Sequence, residues 1–248
     1  YQIENDSSLS RKFDLKRIKY QFDTVAPDFV IVSHASNVFG LVCPVEDIFS
    51  LAKNYNAITL VDMAQTAGLV DCNVGLNIFD FAVFAGHKTL YGPFGISGFV
   101  CSGDIQLKPL IYGGTGIDSA NITVPETIPE RFEVGSQNIL AIAGLNASLK
   151  WILEIGINNI YKKERENYNR LISILHEYDN IKIVGRRMEN ECVGVVSCIL
   201  DGYSSDNIGL ILNEHGVEVR TGLHCSPKAH KFLNTFPEGT VRFSISYF

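Results

Sequence analysis

Three short apolar runs in the first third of the chain constrain its fold more than any other feature. They cover residues 28–33, 58–62 and 79–85, and each is a nearly continuous series of apolar residues. Such runs are typical of strands in the parallel sheet of an α/β protein, where both faces of the sheet are buried. Residues 44–53 carry apolar side chains at a helical spacing, as a crossover helix requires. We therefore predict an α/β chain with a mostly parallel sheet.

The second half of the chain predicts a smaller α+β region. A helical pattern extends over residues 139–175, with a break near Gly156. The other predicted elements are strands at 96–101, 181–184, 193–200, 217–219 and 240–245 and a helix at 205–215. The predicted boundaries are a large domain at 1–138, a linking helix at 139–157 and a small C-terminal domain at 158–248.

Charge and composition argue against two classes of partner. The formal net charge is −6 and the basic residues are scattered, whereas a nucleic-acid-binding protein needs a concentrated basic face. No apolar run reaches the roughly 18 residues of a membrane span. The first residues do not have the basic and apolar regions of a secretion signal. We therefore expect a cytoplasmic protein that binds neither nucleic acid nor membrane.

The cysteine spacing argues against a metal centre. Six cysteines lie at 43, 72, 101, 192, 198 and 225, and none forms a CxxC pair. A zinc cluster is therefore not expected. Without a secretion signal, reduced thiols are the default, and most of these cysteines are expected to be small core residues.

Polar residues follow the predicted strands at their carboxyl ends, where ligands bind in open α/β sheets. Asn37, Asp62 and Lys88 all fall at such positions, and Lys88 stands directly behind a Gly-His pair. An acid and a lysine brought together in this way are what a pyridoxal phosphate (PLP) enzyme needs. The lysine forms a Schiff base with the cofactor, and the acid keeps the pyridine nitrogen protonated. This pairing predicts chemistry at the α-carbon of an amino acid.

Each of these residues also has an ordinary interpretation. A lysine in a turn is commonly a surface residue, and an Asp after a strand is a favoured helix N-cap. Asn37 is also typical of a turn, and Arg242 is compatible with an edge strand that faces solvent. Cys225, like the other cysteines, is open to a purely structural interpretation.

Eight motifs, taken in order, resemble the class V aminotransferase family of fold-type I PLP enzymes. They lie at residues 34–40, 61–65, 85–88, 91–93, 113–116, 132–136, 220–225 and 239–244. Within the family, the sequence is most similar to the cysteine desulfurases and selenocysteine lyases. The resemblance implies that 1–138 is the C-terminal part of the large PLP-binding domain. It also implies a longer N-terminal stretch with a phosphate-binding Gly/Thr loop and a ring-stacking His, and neither motif occurs before residue 30.

The resemblance assigns roles to individual residues. Lys88 and Cys225 become the catalytic residues, and Arg242 and Asn37 the substrate-binding residues. The implied cofactor-binding residues are Asn37, Asp62, Gln65, His87, Lys88 and Thr115. Arg220 and His224 lie near Cys225 and are expected to favour its thiolate form. Ala85 stands where many relatives have a phosphate-binding Ser.

The implied reaction converts cysteine to alanine and passes the sulfur to Cys225 as a persulfide. Two alternatives stay open within the fold: a selenocysteine lyase and a true aminotransferase. A third alternative is an inactive fragment or scaffold subunit. The implied partners are a small amino-acid substrate, a sulfur-acceptor protein and a second copy of the chain, with Thr115 reaching the phosphate bound by the neighbouring subunit.

Overall fold

The computed structural model describes residues 13–103, 107–114, 116–117, 120–185 and 192–248. Helices and strands alternate irregularly along the described chain. The elements in order are α1 Leu15–Val25, β1 Phe29–Ser33, α2 Val45–Lys53, β2 Ile58–Asp62, β3 Phe81–Ala85, β4 Ser97–Cys101, α3 Ile139–Ile155, α4 Ile157–Leu175, β5 Ile181–Ile183, β6 Val195–Leu200, α5 Ser205–Glu214, β7 Arg220–Gly222, α6 Pro227–Phe232 and β8 Thr240–Ser244.

The first sheet has the order β1-β2-β3-β4. The first three strands are parallel, and β4 runs antiparallel to β3. The predicted α/β architecture with a mostly parallel sheet is confirmed. In this register Ser33 pairs with Asp62, and Asp62 pairs with Val83. The carboxyl ends of the three parallel strands therefore lie side by side at one edge.

Burial of this sheet is uneven. Helix α2 places Val45, Ile48, Phe49 and Ala52 in the core. On β1, by contrast, Phe29 and Ile31 are 47% and 61% exposed, and Val100 on β4 is also exposed. The prediction that both faces are buried is therefore wrong for these two strands. On β1, helix α2 packs on one face and leaves Phe29 and Ile31 on the other face uncovered.

The second sheet is antiparallel throughout, with the order β5-β6-β8-β7. Its strands confirm the predicted α+β character of the C-terminal region, with one shift. Strand β7 was predicted at 217–219, but the pairing with β8 uses Arg220–Gly222. The backbone N–H of Val217 instead donates to Leu212 O at the end of α5, so Val217 belongs to the helix terminus.

Helices α3 and α4 connect the two sheets and meet at Gly156, where the predicted break occurs. Gly156 has φ +85°, a left-handed conformation that suits glycine, and the two helix axes differ by 85°. No single helix in the described residues is long and apolar enough to cross a membrane. The bent pair α3 and α4 meets that criterion only when the two helices are taken together.

Two helices, α1 and α6, were not predicted from the sequence. Helix α1 begins at an N-cap, where the Asp14 carboxylate accepts hydrogen bonds from Lys16 N and Arg17 N. Helix α6 is six residues long and begins with Pro227 in its first turn. Both helices are short, and α1 buries only Ile18 completely, although Leu15, Ile18 and Phe22 recur at a helical spacing.

The turn before β8 packs against strand β7, and a substitution at Gly239 tests this contact. Gly239 and Gly202 both have positive φ, but a Cβ on Gly239 would meet the Gly222 backbone at 2.2 Å, whereas a Cβ on Gly202 would meet nothing within 4 Å. Gly202→Ala should cost about 1–2 kcal/mol from backbone strain alone. Gly239→Ala should cost at least twice as much, as measured by urea unfolding. Equal losses would contradict the described contact between this turn and β7.

Candidate active site

The edge of the first sheet is fixed by hydrogen bonds that continue past the strand ends. His34 N donates to Asp62 O and Met63 N donates to Val83 O, both at 2.9 Å. The turns that follow β1, β2 and β3 are therefore held next to one another. Asn37 and Lys88 lie in these turns and Asp62 is the last residue of β2, so the expected clustering at the carboxyl edge is present.

A cavity of about 240 Å³ lies where this edge faces the second sheet. Gln65 and Lys88 line it from the first sheet, and Arg242 lines it from β8. The predicted cofactor lysine and the predicted substrate arginine, 154 positions apart in the chain, thus share one cavity. The Lys88 side chain is exposed, and that of Gln65 is half-buried.

Arg242 has a buried donor that is available to bind an anion. It lies on β8, which is flanked by β6 and β7, so the edge-strand interpretation is wrong. Its Nη1 donates to Asn37 O at 3.1 Å, while its Nε is buried and has no hydrogen-bond partner among the described residues. Burial, followed by the positive charge of Arg220, lowers the pKa of Arg242 below its ordinary value. A bound carboxylate would accept a hydrogen bond from Nε and so reduce the free-energy cost of burying a charged donor without a partner.

Cys225 lies on the loop after β7. Of the six cysteines, all of which the structure describes, it is the exposed one. The Nη2 of Arg220 donates to its Sγ at 3.3 Å. The contact places a positively charged group beside the sulfur, an arrangement found at reactive cysteines. The predicted proximity of Arg220 to Cys225 is therefore present in the structure.

His224 does not add positive charge to this thiol, contrary to expectation. Its ring is 2% exposed, and its Nε2 lies 2.9 Å from Thr240 Oγ1. Burial, then Arg242, lowers the pKa of His224 to about 4. The ring is therefore neutral near pH 7 and holds the loop to β8.

The other predicted residues are placed as follows. Asp62 Oδ1 accepts from Ala64 N at 2.9 Å, so its local capping role is present, and its cofactor role stays a prediction. The exposed ring of His87 stacks on Phe94 with centroids 4.9 Å apart. His34 is a buried histidine bonded to Thr66, and burial lowers its pKa to about 4. Thr115 lies outside the described residues.

Among the cavity-lining residues that were not predicted, Thr89 and Glu164 place buried polar groups in the site. Thr89, next to Lys88, has a buried hydroxyl without a partner among the described residues. Glu164 on α4 is 3% exposed, and its Oε1 accepts from Gly194 N at 2.6 Å. Burial raises the pKa of Glu164 to about 7, against the effect of that hydrogen bond. The motif pattern around Lys88 could have indicated Thr89, but no local signal marks Glu164.

These residues fit PLP. A primary amine, an amide and a buried hydroxyl that lacks a partner among the described residues line the cavity from the turns of the first sheet, and an arginine with an unsatisfied donor lines it from β8. This is a donor set for a ring that carries a reactive aldehyde and for a substrate that carries a carboxylate. Ala85 is not among the residues that line the cavity.

Comparison with known proteins identifies the family. Residues 8–248 match the family described as Aminotransferase class-V. The chain is 36% identical over 225 residues to a probable cysteine desulfurase of Methanothermobacter thermautotrophicus, covering 88% of this chain and 56% of that protein. It is 37% identical over 222 residues to a probable cysteine desulfurase of Pyrococcus abyssi, covering 87% and 54%.

A solved structure agrees with these sequence matches. The apo cysteine desulfurase of Thermococcus onnurineus NA1 superposes with a TM-score of 0.88 at 33% identity, covering 99% of this chain and 61% of that one. The chain belongs to the class-V aminotransferase family and has the predicted PLP-transferase type I fold. It spans about half the length of the curated relatives described above.

Glu164 gives the site a measurable pH dependence of stability. Below about pH 4.5 both the folded and the unfolded chain hold its proton. As the pH rises from 4.5 to 7 the unfolded chain releases the proton first, so the free energy of unfolding falls. Glu164→Gln keeps an oxygen acceptor for Gly194 and removes this loss. The stability of the variant relative to wild type should rise by up to about 3 kcal/mol between pH 4.5 and 8.

The control for this measurement is Glu166→Gln, which alters an exposed carboxylate on the same helix. His34 and His224 titrate in wild type and in both variants, so their effect cancels in the difference. Urea unfolding at several pH values measures the difference in the free energy of unfolding between each variant and wild type. A difference between wild type and Glu164→Gln that does not change with pH would contradict the buried, protonated state of Glu164.

Proposed function

We propose that the protein carrying this chain is a PLP-dependent cysteine desulfurase, which converts L-cysteine to L-alanine and transfers the sulfur to Cys225. The observation that carries this proposal is the shared cavity of Lys88, Gln65 and Arg242. The hydrogen bond from Arg242 to Asn37 links that cavity to the loop of the exposed Cys225. The names of the relatives support the same reaction.

The first-sheet residues would hold the cofactor. Lys88 would bind it covalently through Nζ, Asp62 would face its pyridine nitrogen, and Gln65 and Asn37 would contact its ring edge. His87 and Thr115 would contact its phosphate, Thr115 across a dimer interface. When bound, PLP supplies an electron-withdrawing ring that stabilises negative charge at the substrate Cα.

Arg242 and Lys88 have separate tasks in the reaction. Arg242 would bind the substrate carboxylate with its guanidinium, and the unsatisfied Nε supplies a free donor for that contact. This contact orients the substrate so that its Cα proton faces Lys88. The Lys88 amine then takes that proton as a general base and returns one after the sulfur has left.

Cys225 performs the sulfur transfer. Its thiolate, beside Arg220, attacks the sulfur of the substrate cysteine. An S–S bond forms on Cys225 while the substrate C–S bond breaks, and the carbon chain, after protonation, leaves as alanine. One cysteine and one thiol thus become one alanine and one persulfide, and no external oxidant is needed.

A homodimer, a sulfur-acceptor protein and a cytoplasmic location are further parts of this proposal, and a selenocysteine lyase stays an alternative to it. The exposed apolar side chains Ile139, Leu140 and Leu153 on α3 support the homodimer, since large uncovered apolar surfaces mark interfaces. The acceptor protein would have to approach the exposed side of Cys225.

Replacing the nucleophile tests the sulfur step. In the full-length protein, Cys225→Ser should reduce sulfide release from cysteine in the presence of a reducing thiol by a factor of about 100 or more, because a hydroxyl is a far weaker nucleophile towards sulfur. Cys101→Ser, a half-buried cysteine on β4, is the matched control and should keep the wild-type rate. Sulfide release by Cys225→Ser at the wild-type rate would refute the desulfurase mechanism. Transfer of the amino group to a 2-oxo acid would instead indicate an aminotransferase.

Replacing the lysine tests the cofactor. Lys88→Ala should abolish the absorbance near ~420 nm that PLP shows when it is bound covalently to a lysine. Lys150→Ala, an exposed lysine on α3, should leave that absorbance unchanged. Colourless wild-type protein that cannot be reconstituted with PLP would support the scaffold alternative.

A further inference from the structure

The Cys225 loop has a strained backbone that other contacts must maintain. His224 and Cys225 have φ values of 49° and 61°, two successive residues in the left-handed region without glycine. Each such residue costs about 1–2 kcal/mol relative to an ordinary conformation. The strain implies that neighbouring groups fix the loop.

The side chain of Asn37 contacts both residues that flank Cys225. Its Nδ2 donates to His224 O at 2.7 Å, and its Oδ1 accepts from Ser226 Oγ at 2.8 Å. Both ends of one amide are thus bonded to the loop, at residues 187 and 189 positions away in the chain. The backbone carbonyl of the same residue accepts from Arg242 Nη1.

The turn that carries Asn37 is itself fixed. Ser36 Oγ accepts from Val38 N and Phe39 N, and Ser197 on β6 donates to Val38 O. A Cβ on Gly40 would meet the carbonyl oxygens of Val193 and Val195 at 2.8 Å, so the turn packs closely against the second sheet. A turn fixed in this way allows Asn37 to hold the strained Cys225 loop in one position.

We infer that Asn37 is a positioning residue for the nucleophile: its amide clamps the two neighbours of Cys225 and holds the thiol next to Arg220. This inference deepens the proposed function and rests on it. It is additional to the role in cofactor and substrate binding predicted for Asn37, because the loop uses one N–H and one oxygen lone pair of the amide and the amide has a second of each.

The test measures the reactivity of Cys225 and needs no turnover. Cys225 is already exposed, so its alkylation by iodoacetamide is governed by thiolate character more than by access. Ser226→Ala removes one half of the clamp. Among the described residues the Ser226 side chain makes no capping bond to α6, so the helix N-terminus keeps its contacts. Loss of the clamp should separate Sγ from Arg220 and slow alkylation at neutral pH about fivefold, the scale of one hydrogen bond.

Four further variants of the full-length protein complete the experiment. Ser226→Thr keeps the hydroxyl and should restore the wild-type rate. Ser205→Ala removes another long-range serine hydrogen bond, to Glu238 O, and should also alkylate at the wild-type rate. Asn37→Ala should slow alkylation, and adding Ser226→Ala to it should cause little further loss because both changes break the same clamp.

The outcomes separate the clamp from the proposed function. An unchanged or faster rate in Ser226→Ala overturns the clamp, as does an Asn37→Ala variant that alters only the ~420 nm absorbance of bound PLP. If the clamp variants behave as expected while wild-type protein releases no sulfide from cysteine, the positioning role stands and the desulfurase proposal fails.

Discussion

The parallel ladder between β1, β2 and β3 is the constraint on which the site depends. Its register places Ser33, Asp62 and Val83 side by side, and the bonds from His34 N and Met63 N extend it past the strand ends. A side chain alternates faces along a strand, so a slip of one residue would turn Asp62 to the opposite face. The positions of Asn37, Asp62 and Lys88 relative to one another follow from this ladder.

The second sheet completes the site because α3 and α4 bend sharply at Gly156. The bend returns the chain so that β8 brings Arg242 into the cavity of Lys88 and into contact with Asn37. The cavity and the Cys225 loop are therefore joined through Asn37 and Arg242. The chemistry assigned to the two sheets is coupled by hydrogen bonds between residues that are about 200 positions apart.

The sequence predicted those parts of the structure that depend on local pattern. Continuous apolar runs indicated β1, β2 and β3, and the polar residues after them indicated the functional edge. Glu164 could not be found in this way, since it stands among Lys162, Lys163 and Arg165 and its burial depends on Gly194 thirty residues later. The orientation of the His224 ring likewise depends on Thr240. The clamp formed by Asn37 depends on the Cys225 loop, which belongs to the second sheet. Long-range packing of this kind has no signature in a single sequence.

We propose that the cavity of Lys88 and the thiol of Cys225 act together on cysteine. Mass spectrometry of the full-length protein after incubation with PLP and cysteine tests it most directly. We expect the peptide containing Cys225 to gain the mass of one sulfur atom, with one alanine formed for each persulfide. A gain of sulfur on another cysteine, or alanine formed without any sulfur on Cys225, would contradict it.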